Sequence, residues 1–168
     1  MANAIYCRNG HFNGLVPERD LSLIHAGAYH DWQEKQIREK LARLAFCPQC
    51  GAENLRGCLH CGTKTICPAE YASERPSYCC ACGTPFSWTE IALATAREYT
   101  DELEQLSAED KAALKATFAD LTTDTPRTGL AASRFVKIIS KISAPLGEML
   151  KKIIVDVVTE AVKKAWGA

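Results

Sequence analysis

Nine cysteines in 168 residues, most of them paired, mark where this chain can do chemistry. Between residues 47 and 84 lie three copies of one short pattern, CPQCGA, CLHCGT and CCACGT. Each has two cysteines two residues apart with a glycine directly after the second. A C-x-x-C turn brings two thiolates onto one metal ion, and backbone N–H groups in the turn point at the sulfurs and spread their charge. Gly51, Gly62 and Gly83 stand where such a turn asks for positive φ, a conformation glycine adopts freely. Seventeen residues separate Cys61 from Cys79, inside the interval of a four-cysteine zinc site. Near the start, Cys7-Arg8-Asn9-Gly10-His11 sets a thiolate and an imidazole across an Asn-Gly turn. That half knuckle supplies the fourth ligand pair that two tetrahedral sites need.

Two Zn²⁺ ions per chain are therefore expected, and the pairs can be combined in two ways. In a sequential arrangement Cys7, His11, Cys47 and Cys50 hold one ion, and Cys58, Cys61, Cys79 and Cys82 the other. In an interleaved one, Cys7 and His11 join Cys58 and Cys61, while Cys47 and Cys50 join Cys79 and Cys82. The interval after Cys61 favours the sequential form.

Cys67 and Cys80 remain outside this scheme. Cys80 directly follows a ligand, so its side chain should point away from that ion, and Cys67 falls in a ribbon segment. Without a lowered pKa a free cysteine is packing material rather than a nucleophile. His25 and His30 have no cysteine or carboxylate partner at matching spacing and read as exposed polar positions. No Gly-rich phosphate loop, Ser–His–Asp set or paired-carboxylate motif is visible. With every ligand pair used, no coordination position is left for a water, so the chain is expected not to be an enzyme. A zinc hydrolase using an incomplete Cys7/His11 site is the one enzymatic alternative.

The elements that position these groups divide the chain into a metal-bound α+β zinc-ribbon module over 1–88 and an all-α region over 89–168. Within the first, Ala28, Trp32, Ile37, Leu41 and Leu44 give a buried helical stripe, predicting an inserted helix over about 20–45. Phe86 and Trp88 are expected to pack on the small metal core. Thr89 is the expected N-cap of the next helix, which carries Leu93, Ala96, Tyr99 or Thr100, Leu103 and Leu106 on one side. Ser107 to Asp110 resembles a capping box before Leu114, Phe118 and Leu121. Thr128 can cap a third helix bearing Leu130, Phe135, Ile138, Ile139 and Ile142. Ser143-Ala144-Pro145 opens a fourth. On that last helix Leu146, Leu150, Ile153, Ile154, Val157, Val158 and Ala161 form a broad apolar face, which must meet other helices, a second protomer or protein partner, or lipid. It is the candidate partner-binding surface.

Composition narrows the function. Lysine plus arginine equal aspartate plus glutamate at 20 each, and metal-bound thiolates would tip the holoprotein acidic. The ribbon itself sets Arg56, Lys64 and Arg75 against Glu53, Glu70 and Glu74, a balanced surface that argues against nucleic-acid binding. Charge is nevertheless uneven. Residues 89–128 hold nine acidic against four basic side chains, and 129–168 seven basic against three acidic. The apolar stretch 146–166 is broken by Lys151, Lys152, Asp156 and Glu160, so it does not read as a transmembrane helix. The opening MANAIYCRNG has no basic start or apolar core of a signal peptide. Clustered C-x-x-C pairs then point to a reducing, cytoplasmic setting. A ribbon head with a helical tail for self-association or a protein partner follows. Nucleic-acid binding, and membrane action through the last helix, are the alternatives.

Taken together, the motifs resemble an uncharacterised family of bacterial zinc-ribbon proteins. Its members show C-x-N-G-H, F-C-x-x-C-G, C-P-x-C and S-Y-C-x-x-C-G-x-P-F-x-W-T-E in that order. Cys7, Asn9, Gly10 and His11 match the first motif, Phe46 to Gly51 the second, Cys58 and Cys61 the third, and Ser77 to Glu90 the fourth. TDTPRT before the basic helix is also similar. The chain departs at Leu59, where the family has proline, and in the long stretch before Phe46. The resemblance implies two structural zinc sites and a helical tail, and no known activity.

Overall fold

The computed structural model describes residues 2–17, 44–63 and 75–167. The chain is α+β, with a three-stranded antiparallel sheet and five helices among the described residues. It forms two compact units, Met1–Trp88 and Thr89–Ala168. The helix expected over 20–45 lies outside the described residues as far as position 43, as do His25, His30 and Cys67.

In the first unit β1 (Ala2–Cys7) is the central strand, flanked by β2 (Phe12–Pro17) and the two-residue β3 (Asn54–Leu55). Flanked on both edges, β1 has Ala4, Ile5, Tyr6 and Cys7 all buried. The register runs Ile5 opposite Gly14 and then Tyr6 opposite Phe12, so Asn13 is the extra residue of a bulge. Bulges re-aim side chains; here Asn13 Nδ2 donates to Asn54 Oδ1 at 2.6 Å, and Asn54 Nδ2 to the Leu44 carbonyl at 2.9 Å. Among the described residues the aromatic core is small. Phe86 stacks on Trp88 at 4.6 Å, Tyr6 tilts against Trp88 at 5.4 Å, and Trp88 Nε1 donates to the Pro76 carbonyl.

The helices are α1 (Ser87–Glu102), α2 (Ala108–Leu121), α3 (Thr128–Ile139), α4 (Ala144–Ile154) and α5 (Glu160–Trp166). The first starts at Ser87, two residues ahead of the expected Thr89 cap, and Thr89 is fully buried. Its inward stripe is Leu93, Ala96, Thr100 and then Leu103. Ser107 caps α2 by accepting from the Asp110 N–H at 3.1 Å. Thr128 closes the turn before α3 with its hydroxyl, which accepts from Thr125 N and donates to the Thr123 carbonyl. On α3, Phe135, Ile138 and Ile139 are buried as their spacing requires, but Leu130 is 53% exposed.

Where one last helix was expected, the structure has two. The run Ile153-Ile154-Val155 and Val157-Val158-Thr159 is rich in β-branched side chains, which lose χ1 freedom in a helix. Thr159 with Glu160 behind it favours a new start. The Thr159 N–H is drawn out of helical pairing and donates instead to the Leu121 carbonyl at the end of α2, at 3.0 Å. The break changes what the apolar face does. Leu150, Ile154, Val157 and Val158 are buried within this unit, Leu146 and Ile153 are half-buried, and Ala161 is exposed. The expected partner face is largely this unit's own core.

Candidate metal centres

Three knuckles share one backbone plan. In each, the glycine N–H donates to the carbonyl of the first cysteine: Gly51 to Cys47, Gly62 to Cys58 and Gly83 to Cys79, at 2.8–2.9 Å. The first cysteine's N–H closes each loop onto the residue after the glycine, Ala52, Thr63 or Thr84. The glycines have φ of +70°, +71° and +69°. The Cys7 turn is the same device one residue shorter. Gly10 N donates to Cys7 O at 2.8 Å, Cys7 N to His11 O at 3.0 Å, and Gly10 has φ of +82°.

The structure groups the knuckles sequentially. Cys7, His11, Cys47 and Cys50 form one cluster and Cys58, Cys61, Cys79 and Cys82 the other, with the ligand atoms of each within 4.8 Å of one another. A tetrahedral ion with bonds of about 2.3 Å to sulfur and about 2.05 Å to nitrogen sets S···S near 3.8 Å and S···N near 3.6 Å. The Sγ pairs Cys7–Cys50, Cys58–Cys82 and Cys61–Cys79 are each 3.7 Å apart. His11 turns Nδ1 inward, 3.6 Å from Cys7 Sγ, 3.7 Å from Cys47 Sγ and 3.3 Å from Cys50 Sγ. A disulfide would need about 2.05 Å. The residues therefore fit a metal ion at each site, S₃N in the first cluster and S₄ in the second.

Burial is graded the same way in both. Cys7, Cys47, Cys58 and Cys79 are buried, whereas Cys50, Cys61 and Cys82 face outward. Around the sulfurs, the His11 N–H donates to Cys7 Sγ at 3.3 Å and Asn9 Nδ2 to Cys50 Sγ at 3.5 Å. Thr63 Oγ1 is 3.2 Å from Cys61 Sγ, and Thr84 Oγ1 is 3.4 Å from Cys82 Sγ. Once those sulfurs are thiolates the hydroxyls can donate to them, which orients the ligand.

Crowded thiols titrate unevenly. The Thr63 side chain and backbone N–H bring Cys61 down to about 6. The Thr84 side chain likewise lowers Cys82. For Cys79 the Ala81 and Cys82 N–H groups favour the thiolate, but desolvation and the neighbouring Cys82 and Cys58 thiols outweigh them and push it up to about 11. Burial raises Cys7. Burial also pushes against the Cys47 thiolate, yet hydrogen bonding to Asn13, the Gln49 and Cys50 N–H groups and His11 carries it down to about 6. A dication reverses the repulsion by binding all four ligands deprotonated.

Sequence reasoning passed over several supporting residues. Thr63 and Thr84 had a visible signal, since two of the three repeats read C-G-T and both serve the S₄ site. Asn13, Asn54 and Arg75 had none, because a bulge and long-range contacts place them. Cys80 is exposed at a knuckle tip, outside both clusters.

A family model for an uncharacterized protein conserved in bacteria (DUF2321) matches residues 29–166. The chain belongs to this family. The matched family region takes in Cys47, Cys50, all four cysteines of the S₄ cluster and α1 to α5, and it begins beyond Cys7 and His11. No curated protein and no solved structure matches the chain. None of the described helices is long and apolar enough to cross a membrane.

Proposed function

We propose that the protein is a non-enzymatic zinc-binding interaction protein, in which two structural Zn²⁺ ions rigidify a ribbon head that carries a helical region. The carrying observation is that each cluster offers four donors at tetrahedral separations. Three protein ligands and an open position mark a catalytic zinc, whereas four mark a structural one. Tetrahedral S₄ and S₃N sets suit zinc or iron, and a histidine among thiolates favours zinc. The Zn²⁺ would be held by Cys7, His11, Cys47 and Cys50 in one site and by Cys58, Cys61, Cys79 and Cys82 in the other. When bound, it supplies cross-linking to a unit whose described residues bury only a small apolar core.

Contacts with a protein partner or a second copy are assigned to the helical region. Its exposed apolar side chains include Leu130, Val136 and Met149. A groove of about 440 Å³, lined among others by Gly129, Ala132, Ser133 and Ala161, lies between α3 and α5.

Native mass spectrometry of protein purified under reducing conditions, with elemental analysis, counts metals and chains together. Two zinc ions per chain are expected. A single zinc, or a second one lost in gentle buffer exchange, would sink the closed-site reading and reopen a hydrolytic Cys7/His11 centre. A dimer would assign the helical region to self-association, and a monomer to an outside protein.

A further inference from the structure

The short Cys7–His11 knuckle is not held by its own cluster alone. Arg75 Nη1 donates to the Gly10 carbonyl at 3.1 Å, in the turn between the two ligands. The same guanidinium lies 5.8 Å from the centre of the Trp88 ring. The fit is close, since a β-carbon at Gly10 would fall 2.1 Å from Arg75 Nη1. On the other side Ser87 Oγ donates to the Arg8 carbonyl at 2.8 Å. Arg75 and Ser87 flank the loop that carries Cys79 and Cys82. That loop is closed by the Tyr78–Pro85 bridge, by Phe86 N donating to Ser77 O at 3.0 Å, and by Trp88 Nε1 donating to Pro76 O at 2.9 Å. Both arms of a hairpin belonging to the S₄ cluster thus grip the turn that presents Cys7 and His11 to the S₃N cluster.

Apart from Phe86 and Trp88 at its end, so short a hairpin buries few apolar side chains, and in such modules metal binding and folding are one equilibrium. Resting on the two-site reading above, we infer that the two metal centres are coupled: filling the S₄ site orders the 75–88 hairpin, and Arg75 and Ser87 then hold the Cys7–His11 turn in its ligating shape. Arg75 and Ser87 are positioning residues and touch no metal. The coupling is reciprocal, so an ion in the S₃N site also tightens the S₄ site.

Cobalt(II) titration of the full chain tests this, because an all-sulfur site absorbs further to the red than one with a nitrogen ligand. The wild type should take up two ions per chain. An Arg75→Ala/Ser87→Ala variant should keep the S₄ spectrum, which reports an intact hairpin, and lose affinity at the S₃N site. Removing outer-shell support at metal sites costs about 10–100-fold in affinity, and that range is expected here. Cys61→Ser/Cys79→Ser, which abolishes the S₄ site, should weaken the S₃N site in the wild-type background and not further in the Arg75→Ala/Ser87→Ala background. An unchanged S₃N affinity in the clamp variant, or equal weakening in both backgrounds, would overturn the coupling alone. Ser87→Ala by itself is the milder variant should the double one lose both spectra; no S₃N weakening there overturns the coupling too. Fewer than two ions on the wild type would overturn the two-site reading and this inference with it.

Discussion

The indole of Trp166 stacks on the ring of Phe135, with centroids 4.6 Å apart and 25° between the planes. This contact ties α5 to α3, and Phe118 of α2 approaches the same Phe135 ring at 6.5 Å. Phe135 is fully buried, so Phe135→Ala leaves a cavity as well as losing transfer free energy. It should cost about 3–5 kcal/mol in urea unfolding. Val136→Ala, at an exposed neighbour, should stay within about 0.5 kcal/mol. Equal costs would mean that Phe135 is not packed in the core between α2, α3 and α5.

Thr159 offers the opposite sign. Its hydroxyl is buried without a hydrogen-bond partner, and it makes no capping bond to α5. Thr159→Val keeps the shape and removes the unsatisfied oxygen, so stability should rise by about 1 kcal/mol. A fall in the melting temperature would show that the hydroxyl is satisfied in solution.

His11 can be exchanged while the metal is kept. His11→Cys converts S₃N to S₄, and mass spectrometry should still count two ions per chain. His11→Ala leaves three ligands, and one ion should be lost or become exchangeable with a chelator. Should His11→Ala retain two tightly held ions, the imidazole is not a ligand.

The S₄ site should respond to acid in a defined way. Near neutral pH the metal-free site has Cys61, at about 6, already ionised, while Cys79, at about 11, still carries its proton. Binding therefore expels the Cys79 proton at neutral pH, and below about pH 6 the Cys61 proton as well. Affinity falls with acidification throughout, and the slope of log K against pH should steepen below that value. Chelator competition across the range measures it; a constant slope would rule out an ionised Cys61.

Much of the metal chemistry was legible because it is local. A knuckle is written in six consecutive residues, and the positive φ at Gly51, Gly62 and Gly83 follows from the turn alone. Helix caps such as Ser107 are local too. What the sequence hid is non-local. The bulge at Asn13 depends on strand register. The break before Glu160 depends on the Leu121 carbonyl drawing the Thr159 N–H away. Periodicity carried a single helix through that point, since Val157 and Val158 keep the apolar spacing that the break then turns inward. Leu130 fits the same period and is nevertheless exposed, because only burial by neighbours decides which apolar positions count.

The spacing of the ligands along the chain also orders events in time. Cys61 and Cys79 stand 18 positions apart in the chain, whereas Cys7 and Cys50 stand 43 apart. Chain-closure entropy grows with the logarithm of the separation, so joining the halves of the S₃N site costs about 0.8 kcal/mol more than joining those of the S₄ site. A full-length chain refolding with metal should first capture an ion between Cys58 and Cys82, and only then recruit the strand that bears Cys7.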